Sequence, residues 1–402
     1  MAHAHASHGH GDDLQIPPQL RRTLVCLVVP IVALTAVGVI LLLPRGAGPD
    51  LSSVFGQSGD LSKATVVRVE ATSCGDVTAG LGATSGTTNE CETVTARLAS
   101  SADRIRIDAA GTTNPLHVGD KILVATAEGD PGTYYFADFQ RDTPMAVLLL
   151  LFIAAAVAFG RWSGLRALAA LLTSLLVLVW FVLPSVLHGH SPIAVAIVGS
   201  SLIMIVVLYV TGGFNTQTTV AVLGTVVSLA LIAALAWIFV GLCHLTGLAD
   251  EDAAFLQAAS GEINLQGLLL GGIIIGSLGV LDDMTVTQVS AVWELRQARS
   301  DYSARSLYRA AERIGRDHIA STVNTLVLAY AGASLPLMIY FTQSNLHLRH
   351  ILTNEVVAVE VVRTLVGSIG LIASVPLTTA LAAYVVTRGG VMEPATEPSR
   401  AL

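Results

Sequence analysis

SPIAVAIVGSSLIMIVVLYVT, residues 191 to 211, carries no charged side chain in 21 positions. A helix rises about 1.5 Å per residue, so a run of this length reaches across the ~30 Å hydrocarbon core of a bilayer. Seven further apolar runs, at about 24 to 43, 145 to 160, 166 to 187, 217 to 245, 263 to 281, 318 to 341 and 364 to 387, have the same character. Over all 402 residues, 53% are hydrophobic, 13% are charged, and the mean hydropathy is +0.67. A water-soluble fold has no interior large enough for that surface. The expected fold class is therefore an α-helical polytopic membrane protein with about eight transmembrane helices. Arg21 and Arg22 precede the first run, which lacks a small-residue cleavage site and reads as a retained anchor.

Orientation follows from the arginines, because Lys and Arg resist translocation and acidic residues hardly count. With the N-terminus in the cytoplasm, Arg21, Arg22, Arg161, Arg166, Arg296, Arg299, Arg305, Arg309, Arg313, Arg316, Arg388 and Arg400 lie inside. The short external loops then hold only Arg349 and Arg363, and the opposite topology reverses this twelve-to-two bias. Both termini are expected in the cytoplasm. A net charge of -7 and the lack of a basic run interleaved with aromatics exclude a nucleic-acid partner.

Residues 45 to 142 change character. KATVVRVE (63 to 70), ETVTARLA (92 to 99), DRIRIDA (103 to 109), DKILVATA (120 to 127) and TYYFADFQ (133 to 140) alternate with period two, as strands buried on one face do. Five short strands with a tight turn at Val118, Gly119 and Asp120 predict one small β-barrel-like extracytoplasmic domain between the first and second helices, OB-like or SH3-like. Cys74 and Cys91 fall in it, and an oxidising compartment would join them in a disulfide. The expected organisation is a His-rich cytoplasmic tail (1 to 20), a first transmembrane helix (21 to 44), the β domain (45 to 142), a seven-helix membrane core (144 to 388) and a cytoplasmic tail (389 to 402). The first tail carries His3, His5, His8 and His10, which can capture zinc, copper or nickel or can simply belong to a disordered tail.

Charges at hydrocarbon depth are costly, so they point to function. In GSLGVLDDMTVTQVSAVWEL (276 to 295), adjacent Asp282 and Asp283 close the sixth apolar run, and Met284, Thr285, Val286, Thr287 and Gln288 follow with three polar side chains suited to lining a cavity. Two desolvated carboxylates side by side cannot both ionise cheaply, so one can carry a proton or hold a cation. An intramembrane aspartyl protease needs acids facing each other from separate helices, whereas neighbours on one helix point about 100° apart. In GRDHIASTVNTLVLAYAGASLPL (315 to 337), Asp317, Ser321 and Asn324 recur at i, i+4 and i+7 on one helix face, and Pro336 invites a kink. That face can equally be glue between helices. In NEVVAVEVVRTLVGSIGLIASVPLTTAL (354 to 381), Asn354 and Glu355 open a run in which Glu360 and Arg363 can pair at i, i+3.

These three stretches resemble the YibE/F-like family of bacterial multi-pass membrane proteins. The resemblance rests on the Gly-x-Leu-Gly run leading to Asp283, the stretch from Gly315 to Leu337, and the stretch from Asn354 to Pro376. It covers roughly residues 130 to 388, and the first span with its β domain fits the family's layout. It implies a plasma-membrane location and a transporter role, with Asp283, Asn324, Glu355, Glu360 and Arg363 as shared positions. Asp282 and Met284 depart from the commoner pattern.

The expected function is a permease for a small solute or ion, possible coupling being by protons, with a polar path through Asp282, Asp283, Asn324, Glu360 and Arg363. Asp317, Ser321, Thr287, Asn354 and Glu355 are secondary. No cofactor is expected, no Walker A motif is present, and no nucleophile with a paired base supports an enzyme. The expected partners are the lipid bilayer, the unknown solute and an envelope or cytoplasmic protein. The competing expectation is a non-transporting scaffold or sensor whose external domain binds an envelope partner or ligand.

Overall fold

Asparagine, serine and proline set where the helices begin. In the computed structural model, which describes residues 14–15, 17–46, 61–73, 90–101, 103–109, 115–127, 130–249, 253, 255–257, 263–343, 348–388 and 390–391, the first helix α1 (Pro18–Leu42) starts on a proline. Its missing N–H is one that helix starts leave unbonded in any case. Helix α2 (Asp142–Leu187) is followed by α3 (Pro192–Gly212), which again starts on proline. Asn215 caps α4 (Thr216–Leu242) by accepting from the Thr218 N–H at 2.7 Å. Asn264 caps α5 (Leu265–Ala298) through the Gly267 N–H at 2.9 Å, and Ser303 caps α6 (Ala304–Ala333) through the Ser306 N–H at 3.3 Å. Each such cap satisfies an amide the helix cannot, worth about 1 kcal/mol. Two short helices, α7 (Leu335–Gln343) and α8 (Leu348–Thr353), lead to α9 (Glu355–Arg388).

Six of these helices, α1 to α5 and α9, are long and apolar enough to cross a membrane among the described residues. The expected runs 145 to 160 and 166 to 187 both lie in α2, which is interrupted at Arg161 (φ 49°, ψ -126°) and carries a π-helical turn at Leu178–Val182. The expected run 318 to 341 is divided at Ser334 between α6 and α7, with Pro336 placed where α7 begins. The basic stretch before it is part of the same helix. It forms the first half of α6 and buries Leu307 and Ala311 in a cluster with Trp293 of α5 and Val386 of α9, and Gly315 against Gln288 of α5 and Val375 of α9.

The chain divides into two compact units, one of residues 50–160 and one of the remainder. In the first, β2 (Ser62–Ser73), β3 (Glu90–Leu98), β4 (Arg104–Ala109), β5 (Lys121–Ala127) and β6 (Asp130–Phe139) form an antiparallel sheet in the order β4-β3-β2-β5-β6. All five were expected from the alternation. Ala64, Val66, Val94, Ala96, Ile105, Ile107, Ile122 and Val124, each two residues from another, fill its concave side. The sheet curls into a half-barrel whose edge strands β4 and β6 approach each other without pairing as a ladder. Gly119 supplies the positive φ (102°) of the turn before β5, where Asp120 accepts from the His117 N–H at 2.8 Å. Lys63 on β2 reaches Asp142 at the start of α2 at 2.8 Å. Cys74 and the side chain of Cys91 lie outside the described residues, as do His3, His5, His8 and His10.

In the second unit, α4, α5 and α9 pack mutually, with α6 against α5 and α9 and α3 against α5. A two-residue strand β1 (Leu14–Gln15) pairs antiparallel with β7 (Gly390–Val391), so the start of α1 and the end of α9 meet at one face.

Candidate functional site

A stripe of polar residues runs down the interior of the α4, α5 and α9 group. On α5 the buried positions Leu278, Leu281, Thr285, Gln288 and Val292 recur every three or four residues, so Thr285 and Gln288 stand where the core stripe calls for leucine. On α4 the corresponding positions are Ala221, Thr225, Ser228 and Ile232, and on α9 they are Leu371, Ser374, Thr378 and Ala382.

These side chains join the three helices in a ring of pairwise contacts spread over about one helical turn. Thr225 and Thr285 hydroxyls are 2.8 Å apart across α4 and α5. Gln288, one turn along α5, accepts from the Thr379 hydroxyl at 3.0 Å through Oε1. Thr378, beside Thr379 on α9, lies so close to Gly224 of α4 that a Cβ there would be 2.6 Å from its Oγ1. Gly224 precedes Thr225, and the circuit is complete. Thr225, Thr285, Gln288, Thr378 and Thr379 are all 0% exposed. Gly315 makes room for the Gln288 amide from α6, because a Cβ on it would be 2.8 Å from Nε2 and 2.6 Å from Val375.

Hydroxyls often join helices by bonding back to their own turn or to a neighbour, and several here do. Thr225 donates to Ala221 O at 3.0 Å, Ser228 to Gly224 O at 2.9 Å, and Ser374 to Leu371 O at 2.7 Å. Glue of that kind leaves nothing unpaired. Gln288 Nε2 and Thr378 Oγ1 are buried with no hydrogen-bond partner, and so are Asp282 Oδ1, whose residue lies one turn before Thr285, and, away from these contacts, Ser368 Oγ on α9 and Ser200 Oγ on α3. An unpaired buried polar group costs about 1–3 kcal/mol.

The stripe continues along α9 away from the ring. Gly367 sits against the Ser277 hydroxyl of α5, with a Cβ there 3.3 Å from it, and beyond it Arg363 donates to Glu360 at 2.7 Å. Glu360, Gly367, Ser374 and Thr378 follow at spacings of seven, seven and four, which keeps them on one helix face.

The other sequence-derived residues are placed elsewhere. Asp282 and Asp283 diverge: Asp283 is exposed and faces His318 of α6 at 3.7 Å. Asp317, Ser321 and Asn324 share an exposed face of α6, and Thr287 is half-buried on the side of α5 opposite Thr285. Glu355 is a clamp, its Oε1 accepting from the Thr246 N–H (2.6 Å), the Thr246 hydroxyl (2.7 Å) and the Gly247 N–H (3.2 Å). Asn354 caps α9 through the Val356 N–H at 3.1 Å. Thr225, Thr378, Thr379 and Gly315 were not singled out from sequence. Their signal was a hydroxyl, or a glycine, at core spacing in a run that otherwise reads as uniform hydrocarbon. No group of three or more His, Cys, Asp and Glu suited to a metal occurs among the described residues.

Long apolar helices gathered around a closed polar ring define a multi-pass membrane protein of the helical-bundle type. The YibE/F-like protein family matches residues 148–388, well over half of the chain, and the chain belongs to that family. No curated protein and no solved structure matches it.

Proposed function

We propose that this protein is a permease that moves a small solute or ion across a bacterial plasma membrane along the α4–α5–α9 seam. The observation that supports this best is the buried ring with two polar atoms left unpaired, since a bundle built only to anchor a domain gains nothing from carrying that cost. Helix length puts the ring near mid-membrane: Thr225 is nine residues from the start of α4 and Thr378 ten from the end of α9, roughly 14 to 15 Å of helix in each case. The Glu360–Arg363 pair stands towards the other side, where an approaching solute would exchange hydration for protein contacts. Asp282 is the charged group of the path, and Asp283, open and opposite His318, lies outside it.

In this reading the chain crosses eight times, with both arms of α2 and the α6–α7 pair included. Pairing of β1 with β7 supports an even number, because it brings both ends to one face. The arginine bias makes that face cytoplasmic.

Cells producing wild-type protein, Asp282→Asn and Asp283→Asn at equal membrane abundance are compared for alkali-metal, transition-metal and small-organic-solute content. The permease reading expects a solute whose level shifts with wild type and Asp283→Asn and returns to baseline with Asp282→Asn. Equal contents in all three, with an empty-vector control, would sink it. The scaffold reading, which the separate compact fold of the external unit favours, expects instead that removal of residues 46–141 abolishes the phenotype while Asp282→Asn leaves it intact.

A further inference from the structure

Asp317, Ser321 and Asn324, which the sequence singles out, lie on an exposed face of α6. With Ile314 and Leu328, 45% and 61% exposed, they form a stripe at spacings of three, four, three and four. A period of 3.5 residues is that of a seam along which one helix packs against another over several turns. Arg313 is exposed one turn before Asp317. Among the described residues, no hydrogen bond or ion pair reaches the side chains of Arg313, Asp317, Ser321 or Asn324.

The stripe stands at membrane depth. His318 faces Asp283 of α5 at 3.7 Å, and Asp283 precedes Thr285 of the ring by two residues. Ser321 and Asn324 lie about 4.5 and 9 Å of helix beyond His318, away from the basic end of α6. Lipid tails offer neither donor nor acceptor to a carboxylate, a hydroxyl or an amide, and such groups in a span turn to protein or to a water-filled cavity. The adjoining face of α5 leaves room for protein. Exposed Gly272, Gly276 and Gly279 follow at i, i+4 and i+7, and a Cβ on Gly272 or Gly279 would meet nothing. Small residues at this spacing let a further helix approach closely.

Each group in the stripe is complementary to its own copy. An amide carries both donor and acceptor, so Asn324 can pair with its counterpart across a two-fold axis, and a lone Asn in such a seam specifies register and oligomer state. The Ser321 hydroxyl has the same double capacity. In a parallel pair, Arg313 of one copy stands one turn from Asp317 of the other, so opposite charges meet, whereas a stripe of one sign would repel itself. A two-fold axis along the membrane normal keeps both copies in the same orientation, and two-fold dimers are the commonest oligomers.

We propose that α6 is the interface between two copies of this chain, joined in parallel along the Ile314–Asp317–Ser321–Asn324–Leu328 seam. The inference rests on the eight-crossing topology of the permease reading and not on transport itself.

The test replaces Cys26, Cys74, Cys91 and Cys243 by alanine and introduces Ser321→Cys, Asn324→Cys or Leu328→Cys, with Leu172→Cys on the exposed side of α2 as the collision control. Native membranes holding two differently tagged copies are then oxidised. The expected result is a disulfide-linked dimer carrying both tags at positions 321, 324 and 328, and little at 172. When the membranes are diluted with lipid, adding Asn324→Ala to Leu328→Cys should move half-maximal cross-linking to about tenfold higher protein-to-lipid ratio, as for one lost polar contact. That substitution falls on a surface the fold of a single chain does not use, and the cross-links at 321 and 328 stand without it. No two-tag dimer at the seam, equal yield at 172, a seam cross-link to a different protein in place of the second copy, or a midpoint indifferent to Asn324→Ala overturns the proposal. Solute movement by a chain that does not pair leaves the permease reading standing and removes this one, whereas pairing with solute contents insensitive to Asp282→Asn does the reverse.

Discussion

Gly370 shows how much of the bundle rests on single hydrogen atoms. A Cβ at this position of α9 would overlap Ile232 of α4, a fully buried side chain. In a bilayer no hydrophobic force presses helices together, so close contact through small residues carries the association. Gly370→Ala is expected to destabilise the folded protein by about 1–3 kcal/mol, the usual cost of overpacking. In an unfolding series in mixed micelles, Gly370→Ala with Ile232→Ala should recover part of that loss, and strict additivity would contradict the packing account. At Glu355 the stake is the loop after α4. One carboxylate oxygen gathers three donors from Thr246 and Gly247, and Gly247 (φ 82°) has no space for a side chain beside Leu265 O. Glu355→Gln weakens charge-assisted bonds, so amide exchange at Thr246 and Gly247 should accelerate about tenfold or more, consistent with a loss of about 1.5–3 kcal/mol. Unchanged exchange would show that the clamp is idle.

At the scale of elements, strands and helices differed in how plainly they were written. Each β-strand announced itself by alternation, because one face meets water and the other a core, and Gly119 marked the turn that its positive φ requires. Gly119→Ala is expected to cost the β-sheet unit about 1 kcal/mol, detectable as faster limited proteolysis within the full chain. Membrane helices carry no such contrast, since lipid-facing and core-facing positions are both apolar. The acids therefore drew the eye, and four of the residues they led to, Asp283, Asp317, Ser321 and Asn324, lie on exposed surfaces. Legible but easily passed over was the three-and-four spacing of Leu278, Leu281, Thr285, Gln288 and Val292, which places an amide in a core stripe. The run at 318 to 341 shows a related limit on reading boundaries: α6 continues unbroken from the basic segment and ends at Ser334, so charge and hydrocarbon share one helix. Its packed face is set by Gly315. Gly315→Val should lower the unfolding midpoint through the clash with Gln288 and Val375, whereas Asn324→Leu, on the exposed face, should stay within about 0.5 kcal/mol of wild type.

For the whole molecule, the pattern to be explained is a polar stripe that begins at the Glu360–Arg363 pair, passes Gly367 and Ser374, and reaches a ring of hydroxyls with unpaired atoms at mid-bundle. Packing alone accounts for the glycines and for the hydroxyls bonded to their own helices. It does not account for Thr378, Gln288 and Asp282. A route that water and solute enter during the proposed transport cycle does. Substituted-cysteine accessibility tests this most directly. In a background with Cys26, Cys74, Cys91 and Cys243 replaced by serine or alanine, Thr378→Cys, Ser228→Cys and, as a buried apolar control, Ala236→Cys are exposed to a small membrane-impermeant thiol reagent in intact membranes. The account expects modification at positions 378 and 228 at rates well above that at 236. Equal, negligible labelling at all three positions would contradict it and return the ring to the role of helix packing.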